Sequence, residues 1–184
     1  VYVAEKTLND HVDRRDTGRH LILLAKNEKG YHNLLKIVSK AWTDGFYSHP
    51  RTDHDELKKY HEGIICSSAC LGGEIPQYIM NGQIEKAKEA ARWFKDVFGD
   101  DYYLELQRHK ATVAKANHET YPRQQEVNKV LIEMSKELGI KLICTNDSHF
   151  INEDDAEAHD HLLCLATGKD LDDPKRMLYS KQEW

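Results

Sequence analysis

Four short apolar runs, at residues 20–26, 63–68, 102–107 and 141–147, begin about forty residues apart, and this spacing most constrains what the chain can fold into. An interval of that length accommodates a strand and one returning helix. The intervals carry helical periodicity. Leu34, Leu35, Val38, Ala41 and Trp42 form one apolar stripe that stops at Gly45. Ile84, Ala87, Ala91, Phe94 and Phe98 form a second, closed by Gly99, and Val127, Val130, Leu131, Met134 and Leu138 form a third, closed by Gly139. A last helix is expected from Asn152, whose side chain can cap the acidic turn Glu153-Asp154-Asp155, with Ala156, Leu162, Leu163 and Ala166 as its apolar stripe. Strands that alternate with helices, without hairpin signals between them, predict a parallel α/β fold, either a barrel or a doubly wound sheet. Periodicity does not choose between the two. Residues 48–55 and 110–122 read as irregular polar loops, and 171–176 as an exposed connector leaving the domain.

Length and charge narrow the function classes. A chain of 184 residues is about one domain. Its 31 acidic against 26 basic residues leave a net charge of -5, which argues against a dedicated nucleic-acid-gripping module. The apolar run at 21–25 is far shorter than the ~18–20 residues of a membrane span. The chain opens without Met, inside the apolar run Val1-Tyr2-Val3-Ala4, and is therefore expected to be a fragment. Cys66, Cys70, Cys144 and Cys164 lack paired C-x-x-C spacing, so neither a zinc finger nor a secreted disulfide framework fits, and a reducing cytoplasm is expected. Cys66, Cys144 and Cys164 lie in apolar patterns and read as small buried hydrophobes.

Eleven histidines need an explanation. In parallel α/β folds the site lies at the carboxyl ends of the strands. After the run at 141 come Asp147 and His149, two apart, which on an extended chain face one side and can share a divalent ion. The alternative is a loop carboxylate capping a turn beside a solvated histidine. Cys70 follows the run at 63, where Gly72 and Gly73 permit a tight turn that presents a thiolate. His20 heads its own run, either as a ligand or as a hydrogen-bonded core residue. Glu105 alternates with Leu104 and Leu106, facing a polar interior or water, and His109 is a candidate to line the site. His11, His32, His49, His54, His61, His118 and His161 read as solvated, and His159 as a brace of the last helix. Neither a Walker A loop, G-x-G-x-x-G nor G-x-S-x-G is present, which leaves metal-assisted phosphoester chemistry.

The segments Asn146-Asp147-Ser148-His149, Ser68-Ala69-Cys70-Leu71-Gly72-Gly73-Glu74-Ile75-Pro76 and His20-Leu21-Ile22-Leu23-Leu24-Ala25-Lys26-Asn27 carry a resemblance. So do Asp44-Gly45-Phe46-Tyr47, Asp101-Tyr102-Tyr103-Leu104-Glu105-Leu106-Gln107, Asp155-Ala156-Glu157-Ala158-His159-Asp160 and Leu171-Asp172-Asp173-Pro174-Lys175-Arg176. Together they resemble the PHP (polymerase and histidinol phosphatase) domain of bacterial DNA polymerase III alpha subunits, over nearly the whole chain. The resemblance implies an α/β fold, a distorted (β/α)7 barrel, incomplete because the N-terminal strands are missing. Residues 1–170 would be the C-terminal part of that domain and 171–184 a connector toward the following polymerase domain. By match, His20, Cys70, Asp147 and His149 fall on metal-ligand positions, with Asp147 and His149 in the catalytic role. The family's His-x-His motif, a further Asp and His, and a Glu would all precede Val1, so most of the metal shell would be absent.

The cofactors so implied are divalent metal ions, zinc first, with manganese or magnesium as alternatives. The implied parent is a DNA-directed DNA polymerase of chromosomal replication. Its intact domain would hydrolyse phosphodiesters as a 3'–5' proofreading exonuclease, whereas the fragment alone would be inactive. Implied partners are DNA through the full-length polymerase, a proofreading exonuclease subunit and a sliding clamp, with no membrane. Self-association through unpaired sheet edges is also expected. A free-standing PHP phosphatase of a small phosphate monoester and a non-catalytic docking module are the competing readings.

Overall fold

The run at 20–26 forms two short strands rather than one. β1 (Tyr2–Val3), β2 (Arg19–His20) and β3 (Ile22–Ala25) meet at Leu21. There the Leu21 N–H donates to the Val1 carbonyl at 3.0 Å, and the Leu21 carbonyl accepts from the Val1 nitrogen at 2.9 Å. The Leu21 side chain is buried. β2 pairs with β1, whereas β3 pairs antiparallel with β6 (Ile64–Ser67). The chain thus changes sheets at a single residue.

The computed structural model describes residues 1–10, 17–112 and 119–179, so His11, His118 and the end of the 171–184 connector lie outside the described residues. The chain forms two units. The first comprises Val1–Glu105 and Val130–Ile143, the second Leu106–Lys129 and Cys144–Trp184. The remaining strands are β4 (Phe46–Tyr47), β5 (His49–Thr52), β7 (Tyr102–Leu106) and β8 (Lys141–Cys144). Among the described residues they form two four-stranded sheets, ordered β2-β1-β5-β4 and β3-β6-β7-β8, and no closed barrel. The fold is mixed α/β. The β1/β5 and β6/β7 pairs are parallel, whereas β1/β2, β3/β6 and β4/β5 are antiparallel, which corrects the all-parallel expectation. The β4–β5 hairpin turns at Ser48 with φ 60°, without the glycine or Asn-Gly that would have announced it.

β5 and α2 (His54–Lys59) also replace the loop expected at 48–55. No apolar alternation marks β5, because its inward residue is Arg51, fully buried, with its guanidinium donating to the Gly45 and Leu8 carbonyls at 3.3 Å each. Asp53 then caps α2, accepting from the Glu56 N–H and the Leu8 N–H at 2.9 Å each.

The four helices expected from periodicity form, and α2 and the helix Glu74–Met80 are additional. α1 (Glu28–Thr43) is capped by Asn27, and α4 (Ile84–Phe98) buries Ala87, Ala91, Phe94 and Phe98 as expected. α3 (Glu74–Met80) precedes α4, and α5 (Thr120–Leu138) buries Val127, Leu131 and Met134. Phe94 stacks between Phe98 and Tyr102, at centroid distances of 6.4 and 5.3 Å. The α1 face differs from the expected stripe: Gly30, Asn33, Ile37 and Ala41 are buried, whereas Leu35, Val38 and Trp42 are exposed. A polar side chain holds that face, because the Asn33 amide donates to the Glu62 carbonyl at 2.9 Å.

In the second unit, Asn152 and Asp155 form the expected capping arrangement ahead of α6 (Ala156–Thr167). Of the stripe expected there, only Ala156 is buried, and Leu162 is exposed. Arg176 in the expected connector is tied back, pairing with Asp160 on α6 and donating through Nε to the Leu171 carbonyl at 2.7 Å. No helix among the described residues is long and apolar enough to cross a membrane.

α1 packs so closely on the turn before β6 that a Cβ on Gly30 would stand 1.8 Å from the Gly63 carbonyl oxygen. Helix propensity favours alanine there by about 0.5–1 kcal/mol. The clash outweighs it, so Gly30→Ala lowers stability by about 1–3 kcal/mol, the cost of an overpacked contact. A urea midpoint shifted down at unchanged slope is the expected reading; an unchanged midpoint would refute the packing argument.

Candidate metal centre

His20 and Cys70 are brought together in the first unit. β6 pairs with β3 so that Ile22 lies opposite Ser67, and the chain leaving β6 turns back toward His20. Ala69 adopts φ 60° while buried, a conformation that costs an alanine energy and aims the next residue, Cys70. The loop then closes on the strand: the His20 N–H donates to the Gly72 carbonyl at 2.9 Å, and the Gly73 N–H to the Cys70 carbonyl at 2.9 Å. A Cβ on Gly73 would stand 2.2 Å from the Ser68 carbonyl oxygen, and one on Gly72 would meet the His20 ring at 3.0 Å. Gly73 is therefore needed for the close approach, and a side chain at Gly72 would require the His20 ring to give by a few tenths of an ångström.

His20 Nδ1 stands 3.3 Å from Cys70 Sγ. A tetrahedral zinc, with nitrogen at about 2.0 Å and sulfur at about 2.3 Å, holds two such donors roughly 3.5 Å apart, so this pair fits two corners of one ion. Tyr2 packs edge-on against the His20 ring at 5.1 Å and stacks on His49 at 4.6 Å. Behind the loop, Ser67 Oγ donates to the buried Glu105 carboxylate, while Ser68 Oγ accepts from the Glu105 N–H at 2.9 Å. Glu105 thus faces a polar interior rather than water.

Asp147 and His149 lie in the second unit. Asp147 has φ 48°, so the pair is not on an extended chain and the same-side argument does not apply. A different link joins them: His149 Nδ1–H donates to the Asp147 carbonyl at 2.6 Å. That bond places a proton on Nδ1, so in the neutral ring the lone pair is on Nε2, the usual preparation of a ligating histidine. His159 on α6 and Tyr179 flank the His149 ring, with centroids at 6.1 and 4.6 Å. No local sequence pattern marks either of them as a neighbour of residue 149. His159 stood on its helix with no pattern linking it to residue 149. His109, a candidate lining residue, is buried with both ring nitrogens hydrogen-bonded.

Other histidines are bound locally. His32 and His161 use Nδ1 on their own helix's carbonyls and His61 uses it on the Lys58 carbonyl at the end of α2, whereas His54, expected to be solvated, stacks on Trp93 at 4.1 Å and meets Glu74 at 3.0 Å. Among the described residues, no group of three or more His, Cys, Asp or Glu side chains comes together to hold a metal ion.

The model of the PHP domain matches residues 1–109. The chain belongs to the PHP domain family. Along its whole length it is 46% identical to the DNA polymerase III subunit alpha of Borreliella burgdorferi and 38% identical to that of Treponema pallidum. Over 90% of the chain it is 38% identical to the corresponding subunit of Deinococcus radiodurans. The chain spans about 15% of the length of the first two relatives and 12% of the third. It is thus homologous to the PHP region of DNA polymerase III alpha subunits. PHP domains are typically metal-dependent, and no metal site is seen among the described residues.

Cysteine chemistry separates the four thiols. None of the four forms a disulfide; Cys66 and Cys164 are buried, as expected, but Cys144 is exposed, which corrects its core reading. The end of β8 leaves it uncovered. Burial pushes the Cys66 thiol well above the ordinary range, so its thiolate, the reactive form, is suppressed at neutral pH. In the folded PHP chain a thiol reagent should therefore label Cys144 first, with Cys66 and Cys164 reacting only on unfolding. Peptide mass spectrometry during a labelling time course checks this, and Cys66 labelled as fast as Cys144 would contradict it.

Proposed function

We propose that this chain supplies part of the metal-binding PHP module of a bacterial replicative DNA polymerase alpha subunit, working in the cytoplasm at the replication fork. The observation that carries the reading is the His20–Cys70 pair at 3.3 Å, within a chain similar to these subunits over its full length. His20 and Cys70 would hold a divalent ion through nitrogen and sulfur, which favours zinc over manganese or magnesium. Asp147 and His149 would act as a second pair of ligands, through carboxylate oxygen and Nε2. A bound ion supplies activation of a water and neutralisation of phosphate charge, the chemistry of phosphodiester hydrolysis and of a 3'–5' proofreading exonuclease.

The chain's own residues prepare that chemistry. Ala69 and the two glycines hold Cys70 against His20, and the Asp147 carbonyl keeps the His149 proton on Nδ1. Glu105, bonded to Ser67 and Ser68, stiffens the strand ends behind the Cys70 loop. DNA, a proofreading subunit and a sliding clamp would be met through the longer polymerase rather than through a basic face here, in keeping with the net charge of -5. With two donors at each pair, this chain by itself binds zinc but does not degrade DNA.

Zinc titration against a chromophoric chelator tests the reading. Cys70→Ala should weaken binding by more than the roughly 10–100-fold that loss of an outer partner costs, with the fold intact by circular dichroism. Equal zinc affinity in Cys70→Ala, His20→Ala and the unaltered chain would overturn it. Metal-dependent degradation of single-stranded DNA by the purified chain, lost in His149→Ala, would overturn the prediction of inactivity. Self-association is a further expectation, since edge strand β3 exposes Ile22 and Leu24. Sedimentation velocity should show a concentration-dependent dimer, and a monomer at every concentration would rule it out.

A further inference from the structure

His109 follows β7 and is buried, yet it is neither a surface residue nor available as a ligand. Its hydrogen bonds determine one another. The His109 backbone N–H donates to Gln124 Oε1 at 2.7 Å, so the other amide atom of Gln124 must be the nitrogen. That nitrogen lies 2.8 Å from His109 Nδ1 and can only donate, so Nδ1 must accept. Nε2 then carries the ring proton, and it stands 2.7 Å from the Asn146 carbonyl oxygen, which can only accept. The sequence N–H to amide oxygen, amide nitrogen to ring, ring to carbonyl admits a single direction of donation. Neither an amide flip nor the other tautomer satisfies it.

The carbonyl so held belongs to the peptide entering Asp147, the residue at φ 48°. Its orientation sets the plane from which that left-handed turn departs. The same strip is fastened elsewhere: Thr145 N–H donates to the Leu106 carbonyl at 3.2 Å, and the Gln107 amide donates to Thr145 Oγ1 at 3.3 Å. From α5, Asn128 donates to the Gln107 carbonyl at 2.9 Å, and Gln124 and Asn128 are one helical turn apart, matching residues 107 and 109 along the extended chain. One face of α5 therefore grips the segment after β7, and that segment grips the loop that carries Asp147 and His149.

We propose that His109 is a positioning residue: locked as its Nε2–H tautomer by Gln124, it fixes the Asn146 peptide and with it the geometry of Asp147 and His149. This rests on the reading of those two residues as metal ligands, but the lock and its effect on the loop are measurable without metal.

Three measurements on the whole chain test it. Long-range proton–nitrogen correlation should show His109 with a pyridine-type Nδ1 and a pyrrole-type Nε2; the opposite pattern, or a mixture, overturns the lock. His109→Phe should speed amide exchange at residues 147–149 by about five- to tenfold, the equivalent of one neutral hydrogen bond, and His109→Gln, whose amide can still donate to Asn146, should restore most of it. Unchanged exchange in a folded His109→Phe, or no difference between Phe and Gln, overturns the positioning role; if Phe does not fold, His109→Gln against His109→Asn, whose shorter amide falls short of Asn146, gives the same contrast. In a Cys70→Ala background, zinc affinity should fall about 10–100-fold in His109→Phe. If His149→Ala leaves zinc affinity unchanged there, the ligand reading fails while the exchange data still judge His109. If His149→Ala abolishes binding and His109→Phe does not weaken it, the inference fails and the reading stands.

Discussion

The exchange of backbone hydrogen bonds between Val1 and Leu21 is the constraint on which the first unit depends. It pins the point where the chain leaves one sheet and enters the other, with the Leu21 side chain sealed inside. Each bond contributes only about 1 kcal/mol net. Their importance is positional. His20 ends the strand paired to β1, and Ile22 begins the strand paired to β6. Because both pairings start from that point, the loop after β6 returns beside His20, and Cys70 arrives 3.3 Å from its ring. A straight strand through residue 21 would have kept His20 in the sheet of β6, in register with the strand end rather than beside the returning loop.

Left-handed residues recur at both donor pairs. Ala69 precedes Cys70, and Asp147 is itself one of the candidate ligands. An aspartate tolerates that conformation because its short side chain can bond locally, whereas a buried alanine must be held there by its surroundings. The glycines that follow Ala69 supply the room: their missing Cβ atoms let the loop lie against His20 and against the Ser68 carbonyl. Around Asp147 the restraint comes instead from hydrogen bonds, through His109 and Gln124 to the Asn146 carbonyl. Two different solutions, close packing and a polar relay, meet the same need to hold a short irregular segment still.

Much of the helical layer was legible in the sequence. The α4 stripe through Ala87, Ala91, Phe94 and Phe98, and the Asn152 cap with its acidic turn, formed as their local patterns required. The α1 stripe misled because Asn33 and Gly30, not Leu35 and Trp42, face inward. An asparagine satisfied by the Glu62 carbonyl and a glycine pressed on Gly63 carry no hydrophobic signal. β5 was hidden for a similar reason, since its buried residues are a threonine and an arginine with carbonyl partners. The proposed donors His20, Cys70, Asp147 and His149 stand out in the sequence as residue types near the ends of apolar runs. The neighbours His159 and Tyr179 do not, because nothing within a few residues of either one marks it.

By itself, the sequence determined the longer helices, the Asn152 cap, the glycines of the Cys70 turn and the family to which these segments belong. Each is written in residues a few positions apart, where periodicity, capping and backbone freedom act. Only the tertiary structure decided the rest. The sheet change at Leu21, the antiparallel β1/β2 and β3/β6 pairings, the approach of His20 to Cys70 and the tautomer of His109 all join residues 15 to 50 positions apart. Such pairings are selected by which backbone and amide groups find partners once the chain is folded, and local sequence patterns carry no record of that choice.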